Sequence, residues 1–117
     1  MRALVTGAAS GIGRACCERL VRRAGQNGET DVAIAAMDIA PSAALDTLIT
    51  HLEQAGARAT ALTGDLADPL TPERAVKEAI DALGGLDTLV SNAGVNAPGK
   101  LLDYTVEDWD RLFAVNT

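Results

Sequence analysis

Aromatic residues are nearly missing from this sequence: Tyr104, Trp109 and Phe113 are all it has in 117 residues. Yet 48% of the chain is hydrophobic, which excludes a disordered segment. A core must therefore be built from Ala, Val, Leu and Ile, a composition that suits helices packed on buried parallel strands. Histidine occurs once, at His51, and cysteine only as the adjacent pair Cys16 and Cys17. Neighbouring side chains on a helix diverge, so two reduced thiols in a cytoplasmic protein are expected rather than a disulfide. Nor do these residues supply a metal site of familiar spacing, so no metal is expected. Basic residues are in the minority, 10 Lys and Arg against 16 Asp and Glu, for a net charge of −6. A chain of this charge has no electrostatic footprint for nucleic acid or an anionic membrane surface. No apolar run approaches the roughly 20 residues that cross a bilayer. Met1-Arg2 leads directly into a strand-like run, with none of the plan of a signal peptide.

What the chain does have is alternation. Met1 to Thr6 reads as a short buried strand, and Gly11 to Ala24 as a helix with Ile12, Cys16 and Leu20 at spacings of four. The polar, glycine-broken stretch Gly25 to Asp31 reads as a loop, and Val32 to Met37 as a second strand. Ser42 is placed to cap a helix reaching Gln54, with Leu45, Leu48, Ile49 and Leu52 on one face. Ala57 to Gly64 forms a third strand, Pro72 to Leu83 a third helix, and Leu86 to Ser91 a fourth strand. A last amphipathic helix starts near Thr105 and carries Trp109, Leu112, Phe113 and Val115. Four strand–helix units with short connections imply one α/β domain over residues 1–117, a doubly wound parallel sheet covered on both faces.

Gly7, Gly11 and Gly13 cluster where the first strand hands over to the first helix, and a glycine in a helix costs roughly 1 kcal/mol relative to alanine. In such sheets ligands bind beyond the carboxyl ends of the strands, where strand order reverses. A helix N-terminus there offers unpaired N–H groups and the positive end of a dipole to an anion. Gly7 would allow the tight turn, Gly11 a bare backbone beside a pyrophosphate, and Gly13 close packing of helix on strand. Asp38, at the end of the second strand, could accept hydrogen bonds from both hydroxyls of an adenosine ribose and would repel a 2′-phosphate. An ordinary strand-end aspartate is the competing interpretation.

These residues resemble the short-chain dehydrogenases/reductases, in their common non-extended branch. Thr6 to Gly13, "TGAASGIG", matches that family's T-G-x-x-x-G-x-G. Asp65-Leu66 resembles its acid-plus-apolar pair at adenine. "SNAG", Ser91 to Gly94, is similar to its N-N-A-G, and "FAVNT", Phe113 to Thr117, carries Asn116 where the family keeps an active-site asparagine. The glycine spacing matches neither the family's extended branch nor the G-x-G-x-x-G of two-domain dehydrogenases. The resemblance implies an oxidoreductase moving hydride between NAD and a small-molecule alcohol or carbonyl substrate. It implies that Gly7, Ser10, Gly11, Ile12 and Gly13 hold the pyrophosphate, Asp38 the ribose, and Asp65 with Leu66 the adenine. Asn92, Ala93 and Gly94 would line the middle of the cofactor, and Asn116 would order a water-linked proton relay to a lysine outside these residues. NAD is implied over NADP because the places where NADP-preferring members carry a basic residue hold Ser10 and Ile39.

The family's acid/base motif, Y-x-x-x-K, has no match. Tyr104 is the sole tyrosine and Asp108 stands four residues on, so Tyr104 reads as a packing or surface residue and His51 as solvated surface. The resemblance thus covers about the first half of a family member. The expectation is a longer working form, a dimer or tetramer, with these 117 residues alone inactive. A dinucleotide-binding module without chemistry is the alternative; a methyltransferase fits the glycine loop but not "SNAG" or "FAVNT".

Overall fold

A computed structural model describes all of residues 1–117. Strands β1 (Arg2–Thr6), β2 (Ala33–Asp38), β3 (Arg58–Thr63) and β4 (Thr88–Val90) alternate with helices α1 (Gly11–Gln26), α2 (Ala43–Gln54), α3 (Thr71–Leu83) and α4 (Val106–Asn116). All pairings are parallel, in the order β3-β2-β1-β4. The chain therefore winds outward from β1 through β3 and then returns to the far side of β1. That reversal is the topological switch point of the sheet.

The period-two geometry of a strand sorts the two interior strands into two cores. Ala3, Val5, Ile34 and Ala36 face α1 and α2, where they meet Cys17, Val21, Leu45, Leu48 and Leu52. Leu4, Ala35 and Met37 face α3, against Ala75, Ala79 and Leu83. Small alanines on the strands let the helices approach closely, which explains how the core closes almost without aromatic residues. The helix ends follow local chemistry. Ser42 Oγ accepts from Leu45 N–H at 3.1 Å and caps α2. Gly84, in a left-handed conformation at φ 75°, ends α3.

Two details differ from the sequence-based expectation. Helix α1 runs on to Gln26 through Gly25, because burying Val21 and Ala24 offsets the roughly 1 kcal/mol cost of one glycine. The sheet is covered on both faces only over its inner strands. β4 lies at the edge and leaves Leu89 59% exposed, and no residue of α4 is fully buried, Asp108, Leu112 and Val115 being half-buried. Helix α4 instead owes its form to local signals: a reciprocal capping box between Thr105 and Asp108, and the stacked pair Trp109 and Phe113 with ring centroids 4.8 Å apart.

At the opposite, amino-terminal end of the strands, Asp31 accepts from Arg2 at 2.7 Å and from Arg58 at 3.0 Å. Its Arg58 hydrogen bond, then the charge of Arg2, hold its carboxyl below the usual range. Polar ties thus clamp the amino-terminal rim, leaving the carboxyl-terminal rim open for other use. The core itself is tested by Leu48→Ala. Leu48 is fully buried, and its truncation is expected to cost about 2–5 kcal/mol, read as a lower urea midpoint at unchanged slope.

Candidate functional site

The carboxyl-terminal rim is built around Thr6, the last residue of β1, which is 7% exposed. Its Oγ1 accepts from the N–H groups of Asn92 and Ala93, both at 3.1 Å, just where β4 ends. Asn92 answers by donating its amide to the carbonyls of Thr6 (3.1 Å) and Gly7 (3.3 Å). The first and fourth strands are thereby locked together at the point where the chain leaves both. A Cβ on Gly7 would stand 2.9 Å from Asn92 Nδ2 and 3.0 Å from Ala93 Cα, and the residue sits at φ 66°. Only glycine meets both demands. A Cβ on Gly13 would strike the Gly7 carbonyl, so helix α1 packs directly on the loop that precedes it.

The loop is also stitched to β2. Ala8 N–H donates to Met37 O at 2.9 Å. Asp38 takes one N–H on each carboxylate oxygen, Ala9 on Oδ2 at 2.9 Å and Ile39 on Oδ1 at 2.8 Å. Asp38 is thus part of the loop's own structure, a role that sequence reasoning did not assign. One lone pair remains on each oxygen. Beyond the loop, Ser10 occupies the N-cap of α1 but its hydroxyl makes no capping bond, and the first turn holds no acid. The orphan N–H groups of that turn therefore face outward without a side-chain partner. Gly11 sits at φ 54° with nothing within 4 Å of its Cβ position; it borders open space.

These pieces surround a cleft of about 360 Å³ above the β1–β4 junction. Of the sequence-predicted residues, Gly7, Ser10, Gly11, Ile12, Asp38, Asp65, Leu66, Asn92, Ala93 and Gly94 all line it. Gly13 lies behind, against Gly7. Asn116 is not in the wall. Its side-chain amide pairs with the Val95 backbone, accepting from N–H at 2.8 Å and donating to the carbonyl at 3.0 Å, which holds the segment after β4 in place. Asp65 accepts from Ala67 N–H at 2.9 Å and from Arg111 at 3.4 Å. That backbone bond first, and then Arg111, keep its carboxyl below the usual range against some desolvation.

Sequence reasoning missed Thr6, Met37, Ile39, Gly64, Val95, Arg111 and Val115 as wall residues. Arg111 and Val115 share one face of α4 by their spacing of four, the sole signal that joined them in advance. Tyr104 lies outside the wall. His51 is exposed and receives Arg14 Nη2 on Nδ1 at 3.2 Å. Both cysteines are free, and burial, aided by Cys16, pushes the Cys17 thiol up to about 12, so it stays protonated and unreactive at neutral pH.

With this geometry in hand, comparison with known proteins is decisive. The family model for short chain dehydrogenase matches residues 1–117. The chain belongs to the short-chain dehydrogenase family. Over 97% of its length it is 38% identical to a hydroxyacyl-CoA dehydrogenase of Mycobacterium tuberculosis and 40% identical to an L-rhamnose 1-dehydrogenase (NAD(P)(+)) of a Sphingomonas species. It covers 35% and 42% of those proteins respectively. Among solved structures, a Burkholderia cenocepacia short-chain dehydrogenase in complex with NADP superposes with a TM-score of 0.86 at 36% identity, over 98% of this chain and 44% of that one. A Mycobacterium paratuberculosis relative bound to NAD gives 0.82 at 32% identity, over 97% and 44%. The chain thus spans about two fifths of the length of the relatives it matches.

In this short-chain dehydrogenase the Thr6 junction is open to direct test. Thr6→Val keeps the shape but turns a methyl group toward two backbone N–H donors, and is expected to cost about 1–3 kcal/mol. Chemical denaturation measures the loss, and Thr6→Ser, which restores the acceptor, should recover most of it.

Proposed function

We propose that this chain forms the dinucleotide half of an oxidoreductase that moves hydride between NAD and the alcohol or carbonyl group of a small-molecule substrate. The observation that carries the proposal is the coexistence, in one cleft, of an uncapped helix N-terminus behind bare glycines and two strand-end carboxylates with free lone pairs. The first suits a pyrophosphate, which backbone N–H groups and the helix dipole favour without any basic side chain. The second suits the hydroxyl and amino donors of adenosine. When bound, the nicotinamide ring supplies the two-electron chemistry; the residues of this chain bind and orient. In this reading Gly7, Ser10, Gly11 and Ile12 cradle the diphosphate, Asp38 takes the ribose hydroxyls, and Asp65 with Leu66 borders the adenine. Asn92, Ala93 and Gly94 line the middle, and Asn116, which holds the backbone of the adjacent Val95, is a positioning residue on the way to a proton relay.

The preference for NAD comes from the chain's own residues, since its relatives include both NADP-bound and NAD-bound proteins. Two like charges 4 Å apart repel by about 1 kcal/mol in bulk water and about 4 kcal/mol at an effective dielectric constant near 20. Asp38 imposes that penalty on a 2′-phosphate, and neither Ser10 nor Ile39 offers a compensating cation. Residues 1–117 contain no Y-x-x-x-K, so on their own they are expected to bind without turnover. The two free thiols suit a cytoplasmic setting. The exposed Trp109 and Phe113 suit an oligomer in which α4 is covered.

Two measurements test the proposal. In the full-length protein, Asp38→Ala combined with Ile39→Arg should move the ratio of kcat/KM for NAD over NADP by about tenfold to several hundredfold toward NADP. A wild-type preference for NADP would refute the assignment of Asp38. Gly11→Ala places a methyl group at the cleft and strains φ by about 1–2 kcal/mol. Calorimetry should show NADH affinity reduced by about tenfold or more. Gly28→Ala, equally strained at φ 76° but remote from the cleft, should leave affinity unchanged.

A further inference from the structure

The glycine loop takes its shape from the end of β2. Gly7 at φ 66° and Gly11 at φ 54° are the pivots on which the chain turns, with Ala8, Ala9 and Ser10 between them. Ala8 prolongs the β1–β2 ladder beyond its last pair, Thr6 with Met37, by donating to Met37 O at 2.9 Å. One residue on, the Ala9 N–H meets no backbone carbonyl, and Asp38 Oδ2 accepts it at 2.9 Å. A side chain thus carries the ladder one step further. Ile39 N–H holds Oδ1 at 2.8 Å, so the carboxylate is pinned through both oxygens. Hydrogen bonds to a charged acceptor are roughly twice as strong as neutral ones. Ser10 follows in an extended conformation, its hydroxyl makes no capping bond, and α1 begins at the next residue. Where Ala9 is fixed therefore decides where the orphan N–H groups of the first turn point.

We propose that Asp38 is a positioning residue for the diphosphate: it braces the loop that aims the first turn of α1, separately from anything it offers a ribose. The inference rests on the reading that the cleft holds a dinucleotide. It differs in sign from a role toward the ribose alone. Asp38 lines the same cleft, and a negative charge there repels a diphosphate, so on charge alone its removal would tighten anion binding. Removing a brace does the opposite. Ala9 and Ser10 gain freedom that the diphosphate must take away again on binding, and affinity falls.

The test is calorimetric titration of the full-length protein with an NAD analogue whose adenosine ribose lacks both the 2′- and 3′-hydroxyls. This ligand keeps the diphosphate and leaves Asp38 no ribose hydroxyl to hold. Asp38→Ala should bind it about tenfold or more weaker than the wild type does. Asp38→Asn, whose amide oxygen still accepts an N–H, should recover part of that loss. Amide hydrogen exchange supplies a second readout: Asp38→Ala should speed exchange at Ala9 while β1 and β2 stay protected. Binding of the analogue by Asp38→Ala as tight as by the wild type, or tighter, would overturn the inference and leave Asp38 to the ribose alone. So would unchanged exchange at Ala9. Exchange quickened throughout β1 and β2 would also overturn it, by assigning Asp38 to the fold at large. A wild type that binds neither NAD nor the analogue would instead overturn the dinucleotide reading itself.

Discussion

The candidate site depends on a single junction, the meeting of β1 and β4 through the hydroxyl of Thr6. Strand order reverses there, so the chain leaves the two neighbouring strands in opposite directions and opens a gap at the rim. A gap of this kind exposes backbone polar groups that must find partners. Thr6 Oγ1 takes two of them and the Asn92 amide takes two carbonyls. The strand ends are satisfied, while the N–H groups of the first turn of α1 are left without a side-chain partner at the cleft. Gly7 and Gly13 follow from the same junction, because the loop, the Asn92 side chain and α1 all converge within contact distance.

The charge of the chain is distributed in keeping with this plan. A net −6 chain is poorly suited to holding an anion with side chains, and what the cleft presents instead is the unpaired backbone N–H groups and dipole of a helix N-terminus. The carboxylates at the rim stand at the ends of β2 and β3, one strand apart. Asp38 and Asp65 are each held by at least one backbone N–H. Such bonds orient a carboxylate without neutralising it, which keeps both as acceptors for neutral donors.

The molecule is unevenly packed, and the unevenness follows the sheet. β1 and β2 are buried on both faces, whereas β4 and α4 leave Leu89, Trp109 and Phe113 at the surface. Helix α4 stands on its capping box, its aromatic stack and two polar ties to the rim. An element held this way opens at lower free energy than one packed in the core, and α4 is also the element that brings Arg111 and Asn116 to the site.

Much of this was legible in the residues. Unbroken apolar runs at β1 and β2, Ser42 before an apolar period, and Gly84-Gly85 after one marked the elements. The glycine cluster with Asp38 and Asp65 at strand ends marked the cleft, because strand–helix alternation forces every such end onto one rim. Three things were decided only in three dimensions. Asp38 turned out to brace the glycine loop, Asn116 to pair with the Val95 backbone, and Arg111 to reach Asp65. Local pattern predicts which side of the sheet a residue joins, since periodicity and topology suffice for that. Which hydrogen-bond partner a polar side chain takes depends on distances of a few tenths of an ångström between segments that are dozens of residues apart, and folding alone sets those.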